Sequence, residues 1–280
     1  MTPRTAAEFA GAPWRKVRLG RLKDANRVPT MLSRPERKLY HWLTADWMRG
    51  LGEVVELGTY VGGSTAYLAA GHAAAGHPGM IHAYDKFTSS EGLKARLLYA
   101  NGVPEFDGPD ILPTAGRLLA PWADRLALHK GNIEELGWSG GPIELLIVDA
   151  FKKVALIDRM TADFYPALIP GQSLLVHQDF LHWTQPWLVS QMLRLGAAVE
   201  PVTMAEPDTM AFLVRAPLDP GRLVAARVAA LSDADMLDDL DRARVWLAAF
   251  GLDGRLDAMA RGLRLNPGAR IAWRMTNRPW

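Results

Sequence analysis

Short apolar runs alternate with amphipathic stretches along the chain from about residue 33 to about residue 216. Runs of this length, separated by turn residues, predict the buried strands of a doubly wound, mostly parallel sheet with helices on both faces. The predicted strands are residues 53–57, 80–84, 126–130, 143–148, 173–177, 197–204 and 209–214. The last two are joined by Glu206-Pro207-Asp208, which favours the tight turn of an antiparallel hairpin. We therefore expect a Rossmann-like α/β fold with a seven-stranded sheet.

Helical periodicity precedes the first strand and follows the last one. Ser33 is a predicted helix cap, with Pro35 in the first turn and Glu36 at the third position. A further helix is predicted over residues 182–195, and residues 216–264 are predicted to be helical as well. Ser232 and Asp235 in this tail have the spacing of a capping box. The acidic residues that cluster there, from Asp233 to Asp241, are therefore explained by the helix dipole rather than by metal binding.

Composition divides the chain into three predicted parts, which are a basic arm over 1–32, an α/β domain over 33–216 and a helical extension over 217–280. We expect the extension to cap the site or to form a dimer contact, and therefore expect a homodimer. An Arg-rich, acid-poor start can be a targeting segment or an arm that binds an anionic surface. It is more often an extension that packs on its own chain or on a neighbouring subunit.

Composition also excludes several classes of protein. The 280 residues include no Cys, so a disulfide framework and a thiolate nucleophile are excluded and a cytoplasmic setting is expected. The net charge of +2 does not indicate a nucleic-acid partner. No apolar run reaches the roughly 20 residues of a membrane span, and the start lacks a signal-peptide stretch. We expect a small-molecule partner, with neither nucleic acid nor membrane.

The strongest chemical signal is the segment from Glu56 to Thr65, which reads E-L-G-T-Y-V-G-G-S-T. It joins the first predicted strand to an apolar helical run through a turn that contains glycine. Gly58 and Gly62 permit backbone angles or close approaches that a Cβ forbids. The amides that open the next helix point into the turn, and they suit a carboxylate or a phosphate. The segment therefore predicts a cofactor site.

Three kinds of cofactor site compete for this turn. A phosphate loop requires Lys and then Ser or Thr after its last glycine, and this chain lacks that pair. The dinucleotide fingerprint is G-x-G-x-x-G, whereas the spacing here is G-x-x-x-G-G with Glu56 two residues before Gly58. A carboxylate there repels a pyrophosphate and favours a cationic group such as an ammonium. An S-adenosylmethionine site remains, beside the alternative of a joint that binds nothing.

The motif E-L-G-x-x-x-G-x-S resembles the first motif of class I S-adenosylmethionine-dependent methyltransferases, most closely the small-molecule O-methyltransferases of the catechol and macrocin types. The resemblance extends over about residues 30–215. It implies a parallel sheet that ends in one antiparallel strand. The cofactor contacts that it implies are Glu56 for the methionine amino end, Gly58, Thr59, Tyr60 and Gly62 for the turn, and Ser64 with Thr65 for the methionine carboxylate.

Polar residues also follow the second and third predicted strands. Asp85 ends the second strand, about one β-α-β step after the glycine turn, where an acid can accept both hydroxyls of a ribose. The resemblance adds Phe87, because the family often has an aromatic residue two positions after that acid. Asn132 and Ile133 follow the third strand, and an amide beside an aliphatic side chain suits the edge and the face of adenine. The alternative for this pair is an ordinary turn.

The strand over 143–148 also ends in an acid, Asp149, at the sheet edge where ligands of open α/β sheets bind. Lys152 follows three residues later. In catechol-type O-methyltransferases the matching acid binds magnesium beside the cofactor, and the matching lysine removes the hydroxyl proton. The resemblance therefore implies these roles for Asp149 and Lys152. Which of Lys152 and Lys153 faces the site is open at this point.

The next parallel strand ends at His177-Gln178-Asp179, where the resembled families have Asp-Asp or Asp-Asn as metal ligands. Mg²⁺ prefers oxygen ligands and binds through one or two carboxylates. The candidate Mg²⁺ ligands are therefore Asp149, Asp179 and the amide oxygen of Gln178, which is one carboxylate fewer than in those families. This departure weakens the case for a metal and makes His177, Asp179 and His182 candidate bases.

These patterns together predict an S-adenosylmethionine-dependent O-methyltransferase that acts on a hydroxyl of a small molecule such as a sugar, polyketide or phenol, with Mg²⁺ as an optional aid. Two alternatives stay open, a non-catalytic cofactor-binding or scaffold protein and a tailoring hydroxylase on the same fold. The acceptor pocket is expected from the arm, the loop at 180–187 and the C-terminal helices. Trp14, Trp183 and Trp187 can line it or can serve core packing.

Overall fold

The computed structural model describes residues 2–280, whose strands form one seven-stranded sheet. The order across the sheet is β3-β2-β1-β4-β5-β7-β6. Strand β2 runs parallel to β1 and β3, whereas β7 is antiparallel to both β5 and β6. The predicted Rossmann-like fold, with a mostly parallel sheet, is confirmed. The strands are β1 Glu53–Leu57, β2 Ile81–Asp85, β3 Leu126–Lys130, β4 Ile143–Val148, β5 Leu174–His177, β6 Val199–Ala205 and β7 Thr209–Val214.

Helices precede β1, connect the parallel strands and form the C-terminal extension. The helices are α1 Arg34–Trp42, α2 Gly63–Ala75, α3 Glu91–Leu93, α4 Leu112–Leu118, α5 Ile133–Leu136, α6 Val154–Phe164, α7 Pro186–Arg194, α8 Pro220–Ala225, α9 Asp233–Trp246 and α10 Asp253–Leu265. Within residues 2–280 we find no helix with the length and apolar character that crossing a membrane requires.

Burial explains why the strands were visible as apolar runs. Strands β4, β5 and β7 are buried at every position, as expected of strands covered on both faces. The two outer strands of the order, β3 and β6, have partly exposed positions. The three strands that are buried throughout are therefore the more apolar ones, and the strands at the two edges of the sheet include more polar residues.

Local capping signals place the helix starts. The Ser33 Oγ accepts a hydrogen bond from the Glu36 amide at 3.3 Å, and the Glu36 carboxylate accepts one from the Ser33 amide at 2.7 Å. Ser232 and Asp235 form the same reciprocal pair at the start of α9, at 3.1 and 2.8 Å. Both predicted capping boxes are confirmed, and each satisfies backbone N–H groups that a helix start leaves without intrahelical partners.

Two predicted helical ranges are shorter or broken in the structure. The helix predicted over 182–195 begins only at Pro186, because proline fits the first helical position and disfavours helical geometry at the residue before it. The tail predicted as helical over 216–264 contains three separate α-helices and one short 3-10 helix. Asp219 caps α8, and Gly251, with a φ of +65°, lies between α9 and α10.

The chain falls into two compact units, which we name by their contents. The glycine-turn unit comprises Gly11–Leu136 and Gly141–Ile147. The C-terminal unit comprises the start of the chain to Ala10, Gly137–Gly140 and Val148–Trp280. The division into an arm, a domain and an extension stays a prediction.

The basic arm packs on its own chain within the glycine-turn unit. Trp14 is fully buried, and the Lys38 ammonium donates a hydrogen bond to the Arg15 carbonyl at 2.6 Å. The Tyr67 hydroxyl in α2 donates to the Asn26 side chain at 2.9 Å. Polar and apolar contacts therefore hold the arm against α1 and α2.

Candidate functional site

The turn between β1 and α2 contains three residues in the left-handed region of backbone space. These are Gly58 at φ +101°, Tyr60 at +52° and Gly62 at +95°. A Cβ added to Gly62 would lie 2.6 Å from the Leu119 Cδ1 atom, so glycine is favoured here by the backbone angle, and any Cβ would force the Leu119 side chain to shift. The tight turn predicted around the two glycines is present.

The Glu56 carboxylate fastens this turn to the start of α2. Its Oε2 atom accepts hydrogen bonds from the hydroxyls of Thr59 at 3.2 Å and Thr65 at 2.5 Å. All three side chains are at most 2% exposed. The structure uses these groups inside the turn. The direct ligand contacts expected of Glu56 and Thr65 therefore stay predictions.

Asp85 holds two turns at once. Its Oδ2 atom accepts the Tyr60 amide at 2.9 Å, and its Oδ1 atom accepts the Phe87 amide at 2.7 Å. Phe87, at φ +50°, is a second non-glycine residue with left-handed geometry. Such strained residues persist where surrounding contacts fix them, and they cluster at functional sites. A carboxylate offers about four acceptor positions, so the arrangement is compatible with the expected contact to two ribose hydroxyls.

The remaining cofactor candidates differ in how they face solvent. Ser64 is half-buried in the first turn of α2, whereas Ile133 is only 8% exposed at the start of α5. The Asn132 amide nitrogen donates to the Glu135 carboxylate at 2.9 Å and stays within its own turn. The Phe87 ring has no exposed surface, because it packs in an apolar cluster. The cofactor contact expected of Phe87 stays a prediction.

The C-terminal unit brings Asp149, Lys152 and Asp179 together. The Lys152 ammonium donates to the Asp149 Oδ1 atom at 2.6 Å and also to the Asp179 Oδ2 atom. The Gln185 amide nitrogen donates to the same Asp179 oxygen at 2.8 Å. Lys153 points elsewhere, with its ammonium 5.4 Å from the centre of the Trp273 ring. The structure thus identifies Lys152 as the lysine of this cluster.

This arrangement corrects the magnesium prediction. The ammonium of Lys152 contacts both Asp149 and Asp179, the two carboxylates expected to hold the ion, so it occupies the position of the ion and offsets one of their two negative charges. The third expected ligand, Gln178, is 9% exposed, and its main-chain carbonyl accepts the Thr209 hydroxyl at 3.0 Å. Across residues 2–280 no group of three or more His, Cys, Asp or Glu side chains is arranged to hold a metal ion. The residues present do not fit Mg²⁺.

His177 is also corrected, from a candidate base to a core residue. Its side chain is fully buried, and its Nε2 atom lies 3.1 Å from the Tyr165 hydroxyl. Its Nδ1 atom has no hydrogen-bond partner within the described part of the chain. Burial, with a smaller effect of the Lys152 charge, lowers the pKa of His177 to about 3. A neutral imidazole without access to a ligand cannot serve as the base.

A cavity of about 770 Å³ lies beside the Lys152 cluster in the C-terminal unit. Its wall includes Lys152 and Asp179, the loop 182–185, and side chains of the segment 272–280 that follows α10. The loop lines the cavity because α7 begins only at Pro186. Pockets of this volume bind small organic molecules.

His182 stands in the cavity wall as an accessible base. Its Nδ1 atom lies 2.7 Å from the Thr184 hydroxyl. Burial lowers the pKa of His182, opposed by the negative charge of Asp208. The imidazole is therefore neutral near pH 7 and can accept a proton. Among the expected bases, His182 and Asp179 line the cavity, and Lys152 is the hydrogen-bond donor beside them.

Of the three tryptophans expected at the acceptor pocket, one lines the cavity and two lie in the hydrophobic core. Trp183 lines the cavity, whereas Trp14 and Trp187 are fully buried. Sequence reasoning missed Trp273 and Trp280, which are 61% and 75% exposed at the cavity. A usable signal was present, because both are large aromatic residues in an otherwise polar, Arg-containing stretch.

No protein-family model and no curated protein sequence matches the chain. The fold is similar to that of the cofactor-bound protein Rv0187 from MTB, at 19% identity and a TM-score of 0.46 over 77% of this chain and 98% of that one. It is also similar to a SAH-bound methyltransferase from Podospora anserina, at 15% identity and a TM-score of 0.46 over 76% of this chain and 89% of that one. An O-methyltransferase from Bacillus cereus in complex with SAH matches at 16% identity and a TM-score of 0.43 over 70% of this chain and 88% of that one. At these identities and TM-scores, the similarity does not indicate a function for this chain.

Proposed function

We propose that this protein is an S-adenosylmethionine-dependent O-methyltransferase that acts on a hydroxyl of a small molecule. The observation that carries the proposal is strand β7, which lies antiparallel between β5 and β6. A dinucleotide-binding Rossmann sheet has the mostly parallel order 3-2-1-4-5-6. The reversed strand therefore separates this fold from the dinucleotide alternative and supports the methyltransferase resemblance.

The glycine-turn unit offers groups that suit this cofactor. The first N–H groups of α2 and the half-buried Ser64 hydroxyl suit a carboxylate, since helix starts bind anions. Asp85, at the end of β2, suits the two hydroxyls of a ribose. When bound, S-adenosylmethionine supplies an electrophilic methyl group on a sulfonium centre.

The C-terminal unit offers groups that suit an acceptor hydroxyl. Lys152, Asp179 and His182 share the wall of one cavity. The neutral imidazole of His182 takes the hydroxyl proton, and the Lys152 ammonium stabilises the oxygen as its negative charge develops. Asp149 and Gln185 are positioning residues, because they hold Lys152 and Asp179 in place. No step passes through a metal.

Titration calorimetry with S-adenosylhomocysteine tests the cofactor part. We expect the parent to bind, and Asp85→Asn to bind at least about tenfold more weakly, because hydrogen bonds to a charged group contribute about 1.5–3 kcal/mol. Asp241→Asn is the control, since Asp241 is an exposed acid paired with Arg244 on α9. Thermal melts of each variant separate a binding loss from a folding loss.

Two results would contradict the proposal. One is a parent protein that binds no S-adenosylhomocysteine, and the other is a folded Asp85→Asn variant that binds as tightly as the parent. Binding without methyl transfer to any hydroxylated probe would favour the scaffold alternative.

A further inference from the structure

We propose that the cavity of the C-terminal unit binds a planar aromatic acceptor that carries an anionic group, a carboxylate or a phosphate. The segment 272–280 after α10 would then determine specificity. This inference rests on the proposed function for the role of the acceptor hydroxyl. Its binding test needs no cofactor, so the two proposals can fail separately.

Three tryptophan rings argue for a planar aromatic ligand. Trp183, Trp273 and Trp280 all line the cavity, and the Trp183 and Trp280 rings meet edge to face with centroids 5.8 Å apart. Trp273 and Trp280 keep most of their surface exposed, at 61% and 75%. Exposed apolar surface that lines a concave site is typical of ligand binding, and aromatic rings pack well against other rings.

The cations of the cavity argue for an anionic group on that ligand. Lys152 is paired with Asp149 and Asp179. Arg255 is paired with Asp208 at 3.1 Å and donates to the Pro207 carbonyl at 2.9 Å. These two cations are therefore neutralised by the protein itself.

Arg278 differs from both. It lines the cavity and is exposed, and it has no ion-pair partner anywhere in residues 2–280. A guanidinium binds a carboxylate or a phosphate through two parallel hydrogen bonds, and it also stacks on aromatic faces. Arg278 can thus hold the anionic group while the acceptor hydroxyl lies at His182 and Lys152.

The test compares 1-hydroxy-2-naphthoate with its uncharged carboxamide, 1-hydroxy-2-naphthamide, by titration calorimetry. Both fit a cavity of about 770 Å³, and they differ mainly in charge. We expect the parent to prefer the acid by at least about tenfold. Arg278→Ala should lose that preference while its affinity for the amide stays unchanged, and Arg278→Lys should keep part of it.

Two further variants complete the test. Trp280→Ala should weaken both ligands by a similar factor, because it removes stacking rather than charge. Arg274→Ala should leave both affinities unchanged, since Arg274 is an exposed cation of the same segment that does not line the cavity. A further titration with 1-naphthyl phosphate distinguishes a phosphate from a carboxylate as the anionic group. Tighter binding of either anion than of the uncharged amide supports an anionic aromatic ligand.

The proposal is overturned if the parent binds acid and amide equally, if it binds neither, or if Arg274→Ala loses the preference as Arg278→Ala does. A parent that binds S-adenosylhomocysteine without discriminating the naphthyl ligands would overturn this inference alone. A parent that discriminates the naphthyl ligands without binding S-adenosylhomocysteine would overturn the proposed function and leave the anionic aromatic site.

Discussion

Lys152 is the residue around which the polar side of the cavity is arranged. Its ammonium donates to Asp149 and Asp179, and Gln185 supports the second of these carboxylates. Two carboxylates that share one cation are stabilised by it, and they repel each other once it is removed. An ammonium has three donors and no acceptor, so Lys152 can donate to both carboxylates at once, and the role of base expected of Lys152 stays a prediction.

Replacing Lys152 should turn the pair of carboxylates into a cation site. We expect Lys152→Met to bind Mn²⁺ with one ion per chain, because Asp149 and Asp179 then offer oxygen ligands without a bound ammonium. The parent should show no such binding at the same Mn²⁺ concentration. Titration calorimetry with MnCl₂ measures both.

Controls separate this site from general loss of positive charge. Lys23→Met removes an exposed lysine of the arm and should behave like the parent. The double variant Lys152→Met with Asp179→Asn should lose the gained affinity. Equal Mn²⁺ binding by the parent and by Lys152→Met would contradict this prediction, because it would show that the ammonium does not occupy the position of a metal ion.

Helix α2 is the element that connects the glycine turn to the fold, and a glycine bounds it at each end. Gly62 precedes it at φ +95°, and Gly76 follows it at φ +69°. The two positions share left-handed geometry and differ in surroundings. A Cβ at Gly62 would meet the Leu119 side chain at 2.6–3.0 Å, whereas one at Gly76 would meet nothing within 4 Å.

This difference allows a matched comparison of Gly62→Ala and Gly76→Ala. Both should lower the free energy of unfolding by about 1–2 kcal/mol, the cost of left-handed geometry for a residue with a Cβ. Gly62→Ala should lose about 1–3 kcal/mol more, because Leu119 must move. It should also weaken S-adenosylhomocysteine binding, while Gly76→Ala binds like the parent. Urea unfolding measures the stabilities, and equal losses would contradict the predicted role of the contact with Leu119.

For the molecule as a whole, the buried imidazole of His177 sets a dependence of stability on pH. The pKa of His177 is about 3 in the fold, lowered first by burial and then by Lys152, against 6.5 for an ordinary histidine. Between these values the unfolded chain binds a proton that the folded chain does not. The free energy of unfolding therefore falls as the pH falls through this window, by up to about 1.4 kcal/mol per pH unit.

Removing the imidazole should remove this part of the acid sensitivity. We expect His177→Phe, whose ring suits the neighbouring rings of Phe151, Phe180 and Phe212, to lose stability less steeply than the parent from pH 6 to pH 4. Loss of the Tyr165 contact shifts the whole curve, so the slope is the readout. Urea unfolding at successive pH values measures it, and parallel curves would contradict the assignment.

Assembly and location lie at the same scale and stay predictions. The homodimer, the cytoplasmic setting and the choice of a small molecule over nucleic acid or membrane come from the sequence alone. The exposed surface includes Val245 at 84% and Leu265 at 46%, on α9 and α10. These are the helices for which the sequence suggested a cap or a dimer contact.

Features that depend on neighbouring residues could be predicted from the sequence. The strands β1, β3, β4 and β7 lie at their predicted positions, and for the buried strands β4 and β7 the reason is that strands covered on both faces are apolar over consecutive residues. The capping box of α1 and the left-handed glycines of the turn follow from spacings of three or four residues. The fold and the place of the glycine turn were therefore predictable.

Features that depend on distant residues were decided only by the tertiary structure. Whether a side chain at or just after a strand end faces a ligand or the core depends on what packs over it. His177 and Phe87 are both buried by their surroundings. Lys152 rather than Lys153 joins the carboxylates because Asp179, 27 residues further along the chain, lies beside it. The cavity combines the loop 182–185 with the segment 272–280, and no local pattern specifies that two such separated segments form one wall.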